Sequence, residues 1–134
     1  MRIYLAGPMR NYPAFNFPAF YHAAKVLREK GHEVFSPAER DNAAHGTDIS
    51  KNNPTGDEAL ATLTHGFSLR EALAADFEYI CLHADAIVLL PGWQQSKGAC
   101  AEKAAGEALG LKIYFSDALG VDSFERGEMT GQPC

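Results

Sequence analysis

No run in the 134 residues approaches the ~20 consecutive apolar residues that a membrane-spanning helix needs. The first residues enter an apolar alternation at once, without the charged-then-apolar pattern of a secretory leader. Basic residues are scarce: 12 Lys and Arg stand against 17 Asp and Glu, a formal net charge of −5. With no basic run to track phosphates, a nucleic-acid polymer is not an expected partner. Cys81, Cys100 and Cys134 are odd in number and have no C-x-x-C spacing, so neither a disulfide framework nor a zinc knuckle is indicated. A reduced, cytoplasmic setting fits that pattern. The five histidines, at 22, 32, 45, 65 and 83, show no H-x-x-x-H or other ligand spacing, and no metal is expected. Internal repeats, linkers and low-complexity segments are missing too. What is present is ordinary globular material, 46% hydrophobic and 22% charged. It suffices for one domain over 1–134, built as a single sheet with its helices.

The elements follow from pattern and punctuation. Arg2-Ile3-Tyr4-Leu5-Ala6 reads as a first strand, stopped by Gly7-Pro8. A helix is expected from about Pro18 to Lys30, with Phe20, Ala23, Ala24 and Leu27 on one face, Pro at its start and Gly31 past its end. Glu33-Val34-Phe35 is a short second strand. Residues 38–67 lose all periodicity and are rich in turn formers, a long loop of the kind that is usually functional or mobile. Ser68 and Glu71 form a capping box that opens a helix to about Leu82, with Leu69, Leu73, Phe77 and Ile80 on one side. Ala86 to Leu90 is a third strand and Leu111 to Phe115 a fourth. A helix from Ala99 to Leu109 lies between them, closed by Gly110. Residues 116–134 read as an irregular tail.

This alternation predicts an α/β fold: a flavodoxin-like or Rossmann-like three-layer sandwich with a parallel sheet of four or five strands, order 2-1-3-4. The switch point then lies between strands 1 and 3, where ligands bind at the carboxyl edge. It sets the loop Gly7-Pro8-Met9-Arg10 opposite Pro91-Gly92-Trp93-Gln94-Gln95-Ser96-Lys97-Gly98 across one crevice. A helix starts at Ser96 and Gly98, which favours an anion there, and Glu102 lies one turn further on.

Each candidate has a plainer alternative. Glu102 is either a crevice acid or a solvated residue of an Ala-rich helix. Asp76, among Leu73, Phe77 and Ile80, reads on pattern alone sooner as an exposed acid at the edge of an amphipathic face. Arg10 can hold a phosphate or be a surface residue. Trp93 can stack on a base or anchor the core, and the core is the stronger reading. Ser96 can meet a phosphate, cap the helix, or both. Cys100 is better read as a small buried residue than as a nucleophile. Phe15, Phe17 and Trp93 near one sheet edge predict exposed apolar surface, and with it a homodimer or larger homo-oligomer.

Tyr4 to Arg10, Phe15 to Phe20, Gly31 to Glu39 and Leu90 to Glu102, with Asp76 on a helix and Ala84-Asp85 opening a strand, together resemble the nucleoside 2-deoxyribosyltransferase superfamily. That superfamily includes the 2′-deoxynucleoside 5′-monophosphate N-hydrolases. Within it, these segments are most similar to a small branch found in phage and prophage genomes. The resemblance spans most of the chain outside the long loop and the tail. It implies that Glu102 is a nucleophile and Asp76 a second catalytic carboxylate. It implies that Ser96 meets a 5′-phosphate, that Tyr4 and Gly7 belong to the substrate site, and that no cofactor is needed. The Asp76-to-Asp85 spacing is one residue longer than the superfamily pattern, and Pro8-Met9 replace small polar residues of the hydrolases. The implied activity is cleavage or transfer at the N-glycosidic bond of a small nucleoside or nucleoside 5′-monophosphate. A non-catalytic nucleotide-binding module on the same fold is the alternative.

Overall fold

The computed structural model describes residues 1–9, 16–40 and 69–116. Four strands form one sheet: β1 (Arg2–Ala6), β2 (Glu33–Phe35), β3 (Ala86–Leu89) and β4 (Lys112–Phe115). All neighbours pair in parallel and the order is β2-β1-β3-β4, as the alternation of strand and helix patterns requires. Among the described residues three long helices accompany them, α1 (Phe17–Glu29), α2 (Leu69–Leu82) and α3 (Lys97–Ala108). A 3-10 turn over Trp93–Gln95 precedes α3; the sequence reading had only a loop there. The expected cap Ser68, the loop from 41 to 67 and the tail beyond 116 lie outside the described residues.

The sheet separates two apolar layers because successive strand residues point to opposite faces. Ile3, Leu5, Ala86, Val88 and Leu90 pack with Phe17, Phe20, Ala23, Ala24 and Leu27 of α1. Tyr4, Ala6, Ile87, Leu89 and Ile113 pack with Ile80, Trp93 and Ala99 on the other face. β3 is central and wholly buried, so its run Ala86-Ile87-Val88-Leu89 shows no polar alternation.

Phe17 and Trp93 are only 1% and 3% exposed, which corrects the expectation of bare aromatics at the sheet edge. Both enter the cores because α1 and the 3-10 turn fold them inward, and Phe15 lies outside the described residues. Neither Phe17 nor Trp93 offers apolar surface to a second copy of the chain.

Two contacts fix the geometry around the switch point. The Leu90 amide donates to the Ala6 carbonyl at 2.8 Å, which carries the β1–β3 ladder past the end of β3. At Gly7 a Cβ would stand 2.9 Å from the Leu90 Cβ, an atom fixed to its own backbone. Gly7→Ala must therefore wedge the two strand ends apart. We expect a loss on the order of 1–3 kcal/mol, read as a lower urea midpoint at unchanged slope; an unchanged midpoint would show that the loop yields freely.

A third close approach lies below α3. A Cβ on Gly106 would stand 2.4 Å from Ile87 Cδ1 and 3.2 Å from Ile113 Cδ1. The missing side chain lets the helix axis settle close on the sheet. Ala99, Glu102, Lys103 and Gly106 form the buried face of α3.

Two smaller ties hold the loops. Asn16, in the left-handed region at φ 60°, donates from Nδ2 to the Pro8 carbonyl at 3.0 Å, joining the exit of β1 to the start of α1. Asparagine tolerates that conformation better than most residues. At the far end of α1, Arg28 donates to Glu39 Oε2 at 2.7 Å, to Glu39 Oε1 at 2.5 Å and to the Val34 carbonyl at 3.0 Å. This pins the helical turn at 37–40 that follows β2.

Candidate active site

Tyr4 lies mid-strand on β1, on the face that carries α3, and is fully buried. Its ring stacks on Phe35 at 5.6 Å, and Phe35 stacks in turn on Tyr79 at 4.5 Å. The aromatic stack aims the phenol, and the Tyr4 hydroxyl donates to Glu102 Oε2. Glu102 is one turn into α3 and 5% exposed. The solvated-glutamate alternative is excluded by that burial and by the hydrogen bond.

Asp76 on α2 is also 5% exposed. Along that helix Leu69, Leu73 and Phe77 are only half-buried, while Asp76 and Ile80, four residues apart, are the buried pair. The amphipathic face is thus rotated from the one the apolar spacing suggests, and it turns an acid inward.

Arg40 completes the group, and sequence reasoning missed it. Its Nη1 stands 3.1 Å from Asp76 Oδ1 and donates to the Ala72 carbonyl, one turn earlier on α2, at 2.5 Å. Arg40 sits in the turn after β2, at the carboxyl edge of the sheet. No motif marks it; the one available signal was a lone basic residue following a strand at the ligand-binding edge. Ser36, just past the end of the same strand, is buried, and its Oγ has no hydrogen-bond partner among the described residues.

The electrostatics follow from burial. Desolvation raises the Glu102 pKa from the ordinary 4.5 to about 8, with the Asp76 charge adding to the rise; the Tyr4 hydrogen bond and Arg40 oppose it. Near neutral pH the carboxyl is mostly protonated. The Tyr4 pKa is raised well above 10 by burial first and then by the charges of Glu102 and Asp76, so the phenol stays a donor. Four groups from four places in the chain thus act on one another in a dry volume. The arrangement can hold a carboxyl nucleophile or acid, a second carboxylate and a fixed hydroxyl donor around one ligand.

The other expected residues are spread around the crevice. Gly7 is buried where β1 ends, and Met9 is half-buried against the α1 layer. Ser96 is the N-cap of α3, its Oγ accepting the Ala99 amide at 3.2 Å. A Cβ on Gly98 would meet only the Ser96 Oγ, at 4.0 Å, so the helix start is open on that side. Trp93 is packed into the core beneath α3, with Lys103 Nζ 5.6 Å from its ring centroid; it stands as a core anchor, not as a free stacking platform. Arg10 lies outside the described residues. Asp85 accepts the Arg2 amide at 2.9 Å and so fastens a strand start.

Among the described residues no group of three or more His, Cys, Asp or Glu is placed to hold a metal ion, and no helix is long and apolar enough to cross a membrane. Cys81 is free and exposed.

Against this geometry the comparisons are informative. A solved structure of the 2-deoxyribosyltransferase from the psychrotolerant bacterium Bacillus psychrosaccharolyticus, described as a biocatalyst for synthesis of antiviral and antitumoral nucleosides, superposes with a TM-score of 0.55 and 26% sequence identity. The match covers 86% of this chain and 71% of that one. No curated protein is matched by the sequence. The model of a family described as a domain of unknown function, DUF4406, matches residues 1–115, from the first strand through the fourth and across every residue of the carboxyl cluster. The chain belongs to the DUF4406 family, on a fold shared with a nucleoside-processing transferase.

Proposed function

We propose that the protein is an enzyme acting at the N-glycosidic bond of a nucleoside or nucleoside 5′-monophosphate, with Glu102 as nucleophile. The observation that carries this reading is the buried Glu102 carboxyl, held by the Tyr4 hydroxyl and coupled to Asp76. The likeness to a 2-deoxyribosyltransferase supports the same reaction class. In its ionised form Glu102 attacks the anomeric carbon. The bond from that carbon to the base nitrogen breaks, the bonding pair leaves with the base, and a proton is delivered to the base as it departs. A glycosyl ester on Glu102 remains. Water then attacks the anomeric carbon and regenerates the carboxyl, or a second base does so and forms a new nucleoside. Asp76 orients the sugar or handles the leaving-group proton. The reaction needs neither metal nor cofactor.

The start of α3, with Ser96 at its cap and Gly98 beside it, suits a 5′-phosphate, with Lys97 as a counter-charge. Such a substrate does not cross a membrane unaided, so the reading carries a cytoplasmic setting. Incubation with a panel of nucleosides, deoxynucleosides and their 5′-monophosphates, with chromatography for free base, tests the reading. Release from at least one member, and exchange when a second base is added, are the expected results. Tight binding without release would make this a nucleotide-binding module instead. A further expectation concerns the helix cap. Ser96→Ala should weaken monophosphates about tenfold or more relative to nucleosides, and equal loss for both would remove the phosphate site.

A further inference from the structure

We infer that Arg40 is a positioning residue of this site: from the turn after β2 it holds Asp76 in place on α2 and sets its positive charge beside the carboxyl pair. The inference rests on the glycosidic reading for its catalytic consequence but not for its physical content. Arg40 is tied at two points to one helix, by the 3.1 Å ion pair to Asp76 and the 2.5 Å hydrogen bond to the Ala72 carbonyl. A single guanidinium therefore spans a turn of α2 and holds the carboxylate's own backbone as well as its charge. Its side chain is 14% exposed and that of Asp76 7%, so water screens the pair weakly. The turn that carries Arg40 is itself held to α1 by Arg28 and Glu39.

The groups that face Glu102 come from three other elements: the Tyr4 hydroxyl from β1, the Asp76 carboxylate from α2 and the Arg40 guanidinium from the turn after β2. On α3 itself, Lys103 is engaged by Glu107 at 3.2 Å. Among these, Arg40 is the cation that offsets the two carboxyls. Without it the carboxyl pair would lose the guanidinium that stands 3.1 Å from Asp76 Oδ1, and two like charges so placed ionise together less readily.

The test is an infrared titration of the free protein, following the carboxylic-acid band that Glu102→Gln abolishes, in wild type, Arg40→Gln and Arg40→Lys. In Arg40→Gln the Glu102 midpoint should rise by on the order of one pH unit. Arg40→Lys keeps the charge and should fall between the two, which also supplies a folded variant should Arg40→Gln not fold. In activity, Arg40→Gln should lose about 10- to 100-fold in kcat, its acid limb should move with the infrared midpoint, and added guanidinium should restore part of the rate. Should the midpoint stay at the wild-type value in both variants, or the rate fall with an unmoved pH profile, Arg40 is a structural tie only and the inference is overturned. The titration needs no substrate, so failure of the base-release panel would sink the glycosidic reading while leaving this result to stand or fall alone.

Discussion

Glu102→Gln is expected to abolish base release and at the same time to make the protein more stable at alkaline pH. The first effect follows from chemistry: an amide cannot form the glycosyl ester, and loss of a covalent nucleophile costs about 10³-fold or more. The second follows from the folded-state pKa of about 8 against an ordinary 4.5. Between those values the folded protein keeps a proton that the unfolded chain has already lost. Wild-type stability therefore falls as pH rises from about 4.5 to about 8, and at higher pH the whole penalty is present. Glutamine keeps the size and can still accept the Tyr4 hydroxyl, but it never ionises. The variant should match wild type near the acid end of that window and exceed it by on the order of a few kcal/mol above the folded pKa. Urea unfolding at both ends of the window measures this. A variant no more stable at high pH would mean that the wild-type carboxylate is better solvated than its burial implies, and a variant with full activity would remove the glycosidase reading.

Tyr4→Phe should have the next largest effect. The hydroxyl is the donor on Glu102 and lowers its pKa; deleting it leaves the carboxylate with one fewer compensating group inside the core. The kcat/KM profile reports groups of the free enzyme, so in wild type its acid limb should stand far above the usual carboxylate range, near 8. In Tyr4→Phe that limb should move higher still, and the rate at neutral pH should drop about 10²-fold, the scale seen when one fixed donor to a reacting oxygen is removed. The ring and its stack on Phe35 remain, so stability should change little. An acid limb near that of an ordinary glutamate in wild type, or one unmoved in the variant, would separate Glu102 from the rate-limiting ionisation.

The parts of this molecule written in local pattern were legible in the sequence, and the parts written in contacts across the chain were not. The strands at Arg2–Ala6 and Glu33–Phe35 are short apolar runs between breakers, and the alternation of strands with helices calls for a parallel sheet, whose smallest flavodoxin-like order is the observed β2-β1-β3-β4. The order in turn selects the β1 and β3 loops as the crevice. Glu102 was legible because it sits a fixed step from a helix start, at the edge the topology singles out. Asp76 was not, on pattern alone: Leu69, Leu73 and Phe77 draw the apolar face to one side, and only packing against the α3 face shows that Asp76 and Ile80 point inward. Arg40 follows a three-residue strand, in a stretch without periodicity, and meets its partners across a sequence gap that no local spacing encodes. Trp93 was ambiguous because a Pro-Gly turn gives no direction to the ring that follows it. The 3-10 turn supplies that direction.

The bare backbone at Gly106 acts as a height adjustment for α3. The helix rests on Ile87 and Ile113 at the one position where no side chain intervenes, one turn beyond Glu102. Glycine within a helix is locally unfavourable by about 1 kcal/mol relative to alanine, so the stabilising substitution by helix propensity is the one that must displace the Ile87 and Ile113 methyls or lift the helix. The reach between the Tyr4 hydroxyl and Glu102 is thereby set from beneath the sheet-facing side, away from any surface a ligand could touch. Altering the ligand range of this scaffold is then a matter for the loops after β1 and β3, because a change of volume under α3 acts first on the carboxyl and its donor, whatever ligand is bound.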